Sequence, residues 1–586
     1  MRRLLYENWS WWRTFYKVQP LDYIKTYFGE KIGLYFTWLG FYTSMLFLPS
    51  IIGFVVFIYG VATINQNVIA EEGCDKSNNF TMCPLCNSRC PYWPYSAVCA
   101  DIRASHMFDN GATVFFTCFM SLWGTVFLEL WKRKQASLQF QWNLFNYEEE
   151  EEPPRPEYLV KLANSQFKKK HRVSGIEEPY LPFWRRKVPI YLGSVSTVIF
   201  MCLVALSFVF GVIAYRMTVR AALYLSENPM IYNNAGIVTS ATAACLNLLV
   251  ILILNYLYGK AAVCLTDMEC HRTQSNYDYA LNFKIYILKF VNFYSSLIYI
   301  AFFKSRFTGY PGDYNTLFGA RQEEDPDKDD NKKKLKPWEK DYLLDTLGPR
   351  GLYEEYLEML IQFGFVTLFV AAFPLAPLCA LLNNIIEIRS DAGKLTKVYR
   401  RPVAITAKNI GVWYSIMYGI AKIAIVSNAF IIAFTSSFVQ RLVYQYAYSL
   451  DHSYHGYTNN SLAYFNVSDF EPGNNKYDYT KQHWNTVAAQ FALVVVYQNV
   501  ILMLTNFIAH IIPDMPGHLE VQHLQEKHLV NEMIIKTELK HAMSSNAAGG
   551  SDNEVVFKPD LRPEVELKTL TKRCLHSDER CSTSEV

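Results

Sequence analysis

Two groups of polar residues carry the spacing for chemistry. Glu355 and Glu358 stand three residues apart, and Asn383, Glu387 and Asp391 follow one another at intervals of four. On a helix these intervals place side chains on one face, so the first pair makes an acidic face and the trio makes a stripe. Both groups sit in apolar sequence, where an ionisable side chain is costly and reads as functional by default. Carboxylates brought together repel one another unless they are protonated or bound to a cation. An oxygen-only set, with the Asn383 amide and no interleaved His or Cys, suits calcium better than zinc. Two other readings stay open on spacing alone. The acids could lie just beyond the hydrocarbon, facing headgroups or pairing with Arg389 and Lys394, or they could form a proton relay.

The elements that position these residues follow from the apolar pattern. The stretch 355–392 is too long for one membrane span of roughly 20 residues, and Phe373-Pro374-Leu375-Ala376-Pro377 interrupts it. Two prolines so close break a helix, which predicts a hairpin of helices at 355–373 and 375–392. Glu358 and Glu387 then lie roughly 20–24 Å from the turn at 1.5 Å per residue, so the two acidic faces share one depth near the cytosolic end.

The rest of the chain is of the same kind. Of its 586 residues 51% are hydrophobic and only 19% charged, and the apolar residues are gathered in long blocks. That clustering is the membrane signature. Further spans are expected at about 35–60, 111–131, 189–215, 235–258, 282–303, 410–437 and 485–512, about nine with the hairpin, for an all-α polytopic membrane protein. The N-terminal segment 1–34 is polar and shows no cleavable signal, so the first span is expected to act as its own insertion signal. A net charge of +3 without phosphate-loop or zinc-finger spacing excludes a nucleic-acid binder. No nucleophile–base pair or cofactor motif marks an enzyme.

Basic clusters at Lys132–Lys134, Lys168–Arg172, Arg185–Lys187 and Arg400-Arg401 mark cytosolic loops. The loop 61–110 carries a glycosylation sequon at Asn79 and the cysteines Cys74, Cys83, Cys86, Cys90 and Cys99. Both features suit an oxidising, extracellular side; the other reading of Cys83-Pro-Leu-Cys86 is a metal knuckle. The loop 444–484, with sequons at Asn459 and Asn466, reads as extracellular too. Nine spans cannot put both loops outside, so one crossing is missing. The charged segment 319–342, which cannot lie in hydrocarbon, is where it falls. The acidic run Glu148–Glu152 reads as a solvated linker. From about 513 to 586 a cytosolic tail begins as a helix, His518 to His541, and is expected to be disordered beyond Ser544.

The hairpin sequence, Glu355-Tyr-Leu-Glu-Met-Leu-Ile-Gln-Phe-Gly through Pro377 and Leu381-Leu-Asn-Asn-Ile-Ile-Glu-Ile-Arg-Ser-Asp391, resembles the seventh and eighth helices of the anoctamin family. The resemblance continues through Phe28–Phe36, Phe108–Phe116, Trp338–Tyr342, Arg441–Tyr444 and Ile512-Pro-Asp514, and covers residues 5–540. It implies an anoctamin-like bundle of ten helices that dimerises, with itself or with other family members. It also implies calcium-activated passage of chloride or other anions, phospholipid scrambling, or both, at the plasma membrane, with both termini cytosolic. Glu355, Glu358, Asn383, Glu387 and Asp391 match the family's calcium ligands. Glu129 and Asp514 match a further calcium site, in which a third acid is Ala509 here. Residues 292–313 resemble the scrambling members more, and Lys304 and Arg306 would favour anions at the outer mouth or anchor the interface. Against the family pattern, the N-terminal cytosolic domain and the sixth helix are missing, and extracellular cysteines expected after the fifth helix and before the tenth are absent. The sixth helix supplies calcium ligands and moves on opening, so the chain reads as a shortened form with an incomplete site, or as a non-conducting regulatory partner of full-length members.

Overall fold

The computed structural model describes residues 1–14, 17–78, 80–82, 92–144, 153–163, 168–170, 177–179, 188–224, 229–302, 347, 351–462 and 481–548. Its long helices are α1 (Glu30–Ala62), α2 (Gly111–Gln141), α3 (Val188–Tyr224), α4 (Pro229–Glu269), α5 (Gln274–Phe302), α6 (Gly351–Leu368), α7 (Ala376–Gly393), α8 (Val412–Phe430), α9 (Lys481–Ile511) and α10 (Gly517–Ala548). Every span expected from the sequence is a helix. Six helical stretches are long and apolar enough to cross a membrane: Glu30–Ala62, Tyr95–Gln141, Val188–Arg216, Ala241–Glu269, Val412–Thr435 and Lys481–Ile511. The others, α5, α6 and α7, carry the lysines and acids that concern function. Residues 1–516 form one compact unit; the other, 517–586, contains α10, which runs past Ser544 to Ala548.

The hairpin differs in detail from expectation. α6 ends at Leu368 rather than near 373, and the chain turns through Phe369–Leu375; Pro374 keeps Phe373 out of helical geometry. Pro377 then sits in the first turn of α7, where a missing N–H costs nothing. The turn lies against α1 at Gly53. A Cβ there would collide with the Pro374 carbonyl oxygen and touch the Phe116 ring, so only glycine admits this approach.

Between helices in lipid there is no hydrophobic drive, and packing and hydrogen bonds hold the bundle. Buried hydroxyls bond back within their own helix, as Thr37 to Gly33 O and Thr367 to Phe363 O do, each at 2.8 Å. Others join helices. The Trp123 indole donates to Met45 O at 3.0 Å, tying α2 to α1. Asn428 donates to Thr367 O at 2.8 Å and Ser427 to Leu368 O at 3.1 Å, tying α8 to the end of α6. Fully buried Trp38, Tyr42, Phe127, Trp131 and Phe363 fill the space between α1, α2 and α6. Helices α3, α4 and α5 pack on one another, and Glu269 takes bonds from Lys284 at 2.7 Å and His271 at 2.9 Å at their turn.

At the far end of α1 the loops are clasped together. Cys74 and Cys99 form a disulfide. Asp109 accepts from Ser436 at 2.6 Å and from Ser437 at 2.8 Å. Glu72 accepts from the backbone N–H of Gly456 at 2.6 Å. The two sequon-bearing loops therefore share one face, with the long helices α2 to α8 between them among the described residues. Asn459 is exposed there; Asn79, Asn466, Cys83, Cys86 and Cys90 lie outside the described residues, as do Lys304, Arg306, Glu148–Glu152 and the segment 319–342.

Candidate functional site

α6 begins and α7 ends at the same level, which sets the acids of one beside the acids of the other. Oxygens of Glu355, Glu387 and Asp391 all lie within 4.8 Å of one another. Asp391 is buried, and Glu355 and Glu387 are half-buried. Glu358 and Asn383, each one helical turn farther into the membrane along its helix, are exposed. Glu355, Glu387 and Asp391, three of the five expected residues, bring their oxygens together, and the charge of Glu358 acts on Glu387 from one turn away.

Three converging carboxylates of this kind could hold a metal ion. Oxygen-only donors suit hard cations such as calcium and magnesium over softer metals.

The surroundings fix Asp391 firmly. Tyr35 on α1, itself buried, donates to Asp391 Oδ2 at 2.5 Å. The Tyr35 ring meets Tyr356 edge-on at 4.8 Å between centroids, and Tyr356 stacks on Trp413 of α8 at 5.3 Å. Lys394 donates to Asp391 Oδ1 and to Glu355 Oε2, each at 2.8 Å. Behind the acids Arg389 turns the other way. It donates to the carbonyls of Trp9, Thr14 and Lys17 at 2.6, 2.9 and 2.9 Å, and so holds the N-terminal segment against α7. Arg2 adds bonds to the Thr396 and Tyr399 carbonyls, both at 2.9 Å. The neighbouring Glu354 pairs instead with Lys289 of α5 at 2.8 Å.

The second expected pair is joined through a lysine. Glu129 is buried on α2, and Lys132 Nζ lies 2.8 Å from it and 3.6 Å from Asp514.

Sequence reasoning did not find Tyr35, whose only mark was an aromatic in an apolar span. Nor did it single out Asn384, which is fully buried on α7 with neither polar side-chain atom bonded among the described residues.

Fold and site together define a polytopic all-α membrane protein with an acid cluster where two helices of a hairpin meet. The family model described as "Anoctamin: Calcium-activated chloride channel" matches residues 24–332 and 319–526. The chain belongs to the anoctamin family. It is 41% identical to human Anoctamin-1 over 643 positions, covering 92% of this chain and 65% of that relative. It is 39% identical to human Anoctamin-4, at the same coverages, and 38% identical to human Anoctamin-7, of which 63% is covered. The chain thus spans just under two thirds of the length of these relatives. Since 92% of 586 residues is about 539, about 100 of the 643 positions aligned with human Anoctamin-1 have no residue of this chain opposite them.

Proposed function

We propose that this chain carries chloride, phospholipid or both across the membrane under calcium control, with Glu355, Glu387 and Asp391 as the core ligands and Glu358 and Asn383 completing the site from one turn away. The convergence of three carboxylates from two helices within 4.8 Å carries this reading. Calcium supplies the charge that relieves their repulsion, so α6 and α7 can close without a field that bars anions. Glu129 and Asp514 form a second, weaker calcium position. The protein works as a dimer at the plasma membrane, glycosylated on the loops that hold Asn79, Asn459 and Asn466.

The family match in two segments that meet at 319–332 supports a chain shortened where the family's sixth helix falls. The unpaired alignment positions point the same way. On this reading transport is weakened and the calcium site lacks the ligands of that helix. The test is reconstitution in vesicles, reading calcium-triggered chloride flux and lipid exposure, with Glu387→Gln as control. Calcium-dependent flux lost in the control supports the proposal. Flux absent here but present once the segment is restored assigns this chain a non-conducting, regulatory role.

A further inference from the structure

Lys394 opens the π-helical turn Lys394–Val398 that continues α7. It follows Asp391 by three residues, which brings the two side chains onto one face. Its ammonium lies 2.8 Å from Glu355, 2.8 Å from Asp391 and 3.5 Å from Glu387. One cation on the chain thus meets all three carboxylates that would receive calcium, one from α6 and two from α7. An ammonium has three donors and no acceptor, so it occupies lone pairs that a metal ion needs and repels a second positive charge at the same place. Its side chain is 34% exposed while that of Asp391 is 2% exposed, which leaves the lysine a route to water that Asp391 lacks. The arrangement recurs on α2, where Lys132 reaches back three residues to Glu129 at 2.8 Å.

We propose that Lys394 is a tethered competitor for calcium. In the calcium-free protein it bridges α6 to α7 and partly neutralises the acids; calcium binds by expelling it to solvent. The side chain therefore sets the calcium threshold above what the carboxylates alone would give. This inference rests on the reading of Glu355, Glu387 and Asp391 as calcium ligands.

The experiment is calcium titration of the purified full chain in lipid nanodiscs, following thermal stability, for wild type, Lys394→Met, Lys394→Arg and Glu387→Gln. Removing a charge-assisted pair of this kind should lower the calcium concentration at half-saturation roughly tenfold in Lys394→Met. The same variant should melt earlier in chelator. Lys394→Arg, which keeps the charge, should stay near wild type. A second measurement needs no variant: amine labelling of wild-type Lys394, read by mass spectrometry, should rise several-fold from chelator to saturating calcium. Equal half-saturation in wild type and Lys394→Met, with binding still lost in Glu387→Gln, overturns the competitor and leaves the calcium site standing. Labelling that does not rise in calcium overturns it as well, even where Lys394→Met fails to fold. No calcium response in any form, wild type included, overturns both readings.

Discussion

Tyr35 of α1 and Asp391 of α7, 356 residues apart in sequence, share a 2.5 Å hydrogen bond between two buried side chains. Asp391 thereby has one oxygen fixed by a neutral donor and the other directed to Lys394. Partners that orient a metal ligand cost about 10–100-fold in affinity when removed. Tyr35→Phe should weaken calcium binding by about tenfold at constant fold, measured by calcium titration of the purified protein. An unchanged titration would show that Tyr35 does not position the ligand.

The geometry ranks the acids. Glu355→Gln and Glu387→Gln, within the cluster, should each weaken calcium binding by about a hundredfold, since ligand charge count sets affinity. Glu358→Gln and Asn383→Ala, exposed one turn away, should cost only about tenfold or less on the same argument. Equal losses at all four positions would show that the site closes around the outer pair on binding.

Arg389 serves the chain's first residues, not the acids beside it in sequence. Replacing it by Met removes its bonds to the carbonyls of Trp9, Thr14 and Lys17, and a hydrogen bond to a charged group is worth about 1.5–3 kcal/mol. Hydrogen exchange should speed up across residues 2–14 far more than within α8. Uniform acceleration throughout the protein would indicate global destabilisation instead.

The Cys74–Cys99 bridge closes a separation of 25 residues, which on the chain-entropy account is worth about 3 kcal/mol. Paired replacement by Ser should lower the melting temperature and expose residues 61–110 to protease. A melting curve unaffected by the change, or by reductant, would show that the Glu72 and Asp109 contacts hold the loops without it.

Gly364 faces Tyr294 across the α5–α6 contact, and a Cβ there would strike the Tyr294 hydroxyl, which is bonded to Ile361 O at 2.7 Å. Gly364→Ala should destabilise by about 1–3 kcal/mol through overpacking, whereas Gly419→Ala, which meets nothing, should be neutral. Equal melting temperatures for the two variants would argue against this packing.

Much of this was legible in the residues. The hairpin, its proline turn and the acids followed from period and composition, because helix spacing fixes which side chains share a face. The common depth of the two acidic faces followed from counting along the hairpin, although α6 stops at Leu368 and does not reach the proline. Tyr35 and the Arg389 contacts were out of reach. They depend on which helix lies beside α7, and no local pattern in α1 or in the first residues states that. Cys74 and Cys99 were candidates without a pairing, since a count of cysteines fixes no connectivity.

The glycine contact at Gly53 has a consequence for motion. Together with the Tyr35–Asp391 bond it fastens α7 to α1 at both ends, while α6 is stitched to α8 through Thr367 and Leu368. The acid cluster is therefore a seam between two plates that both pack on α1, one bearing Glu387 and Asp391 and the other Glu355. Whatever cation sits in that seam, lysine or calcium, is the rivet, and changing one for the other alters how the plates are joined without disturbing either.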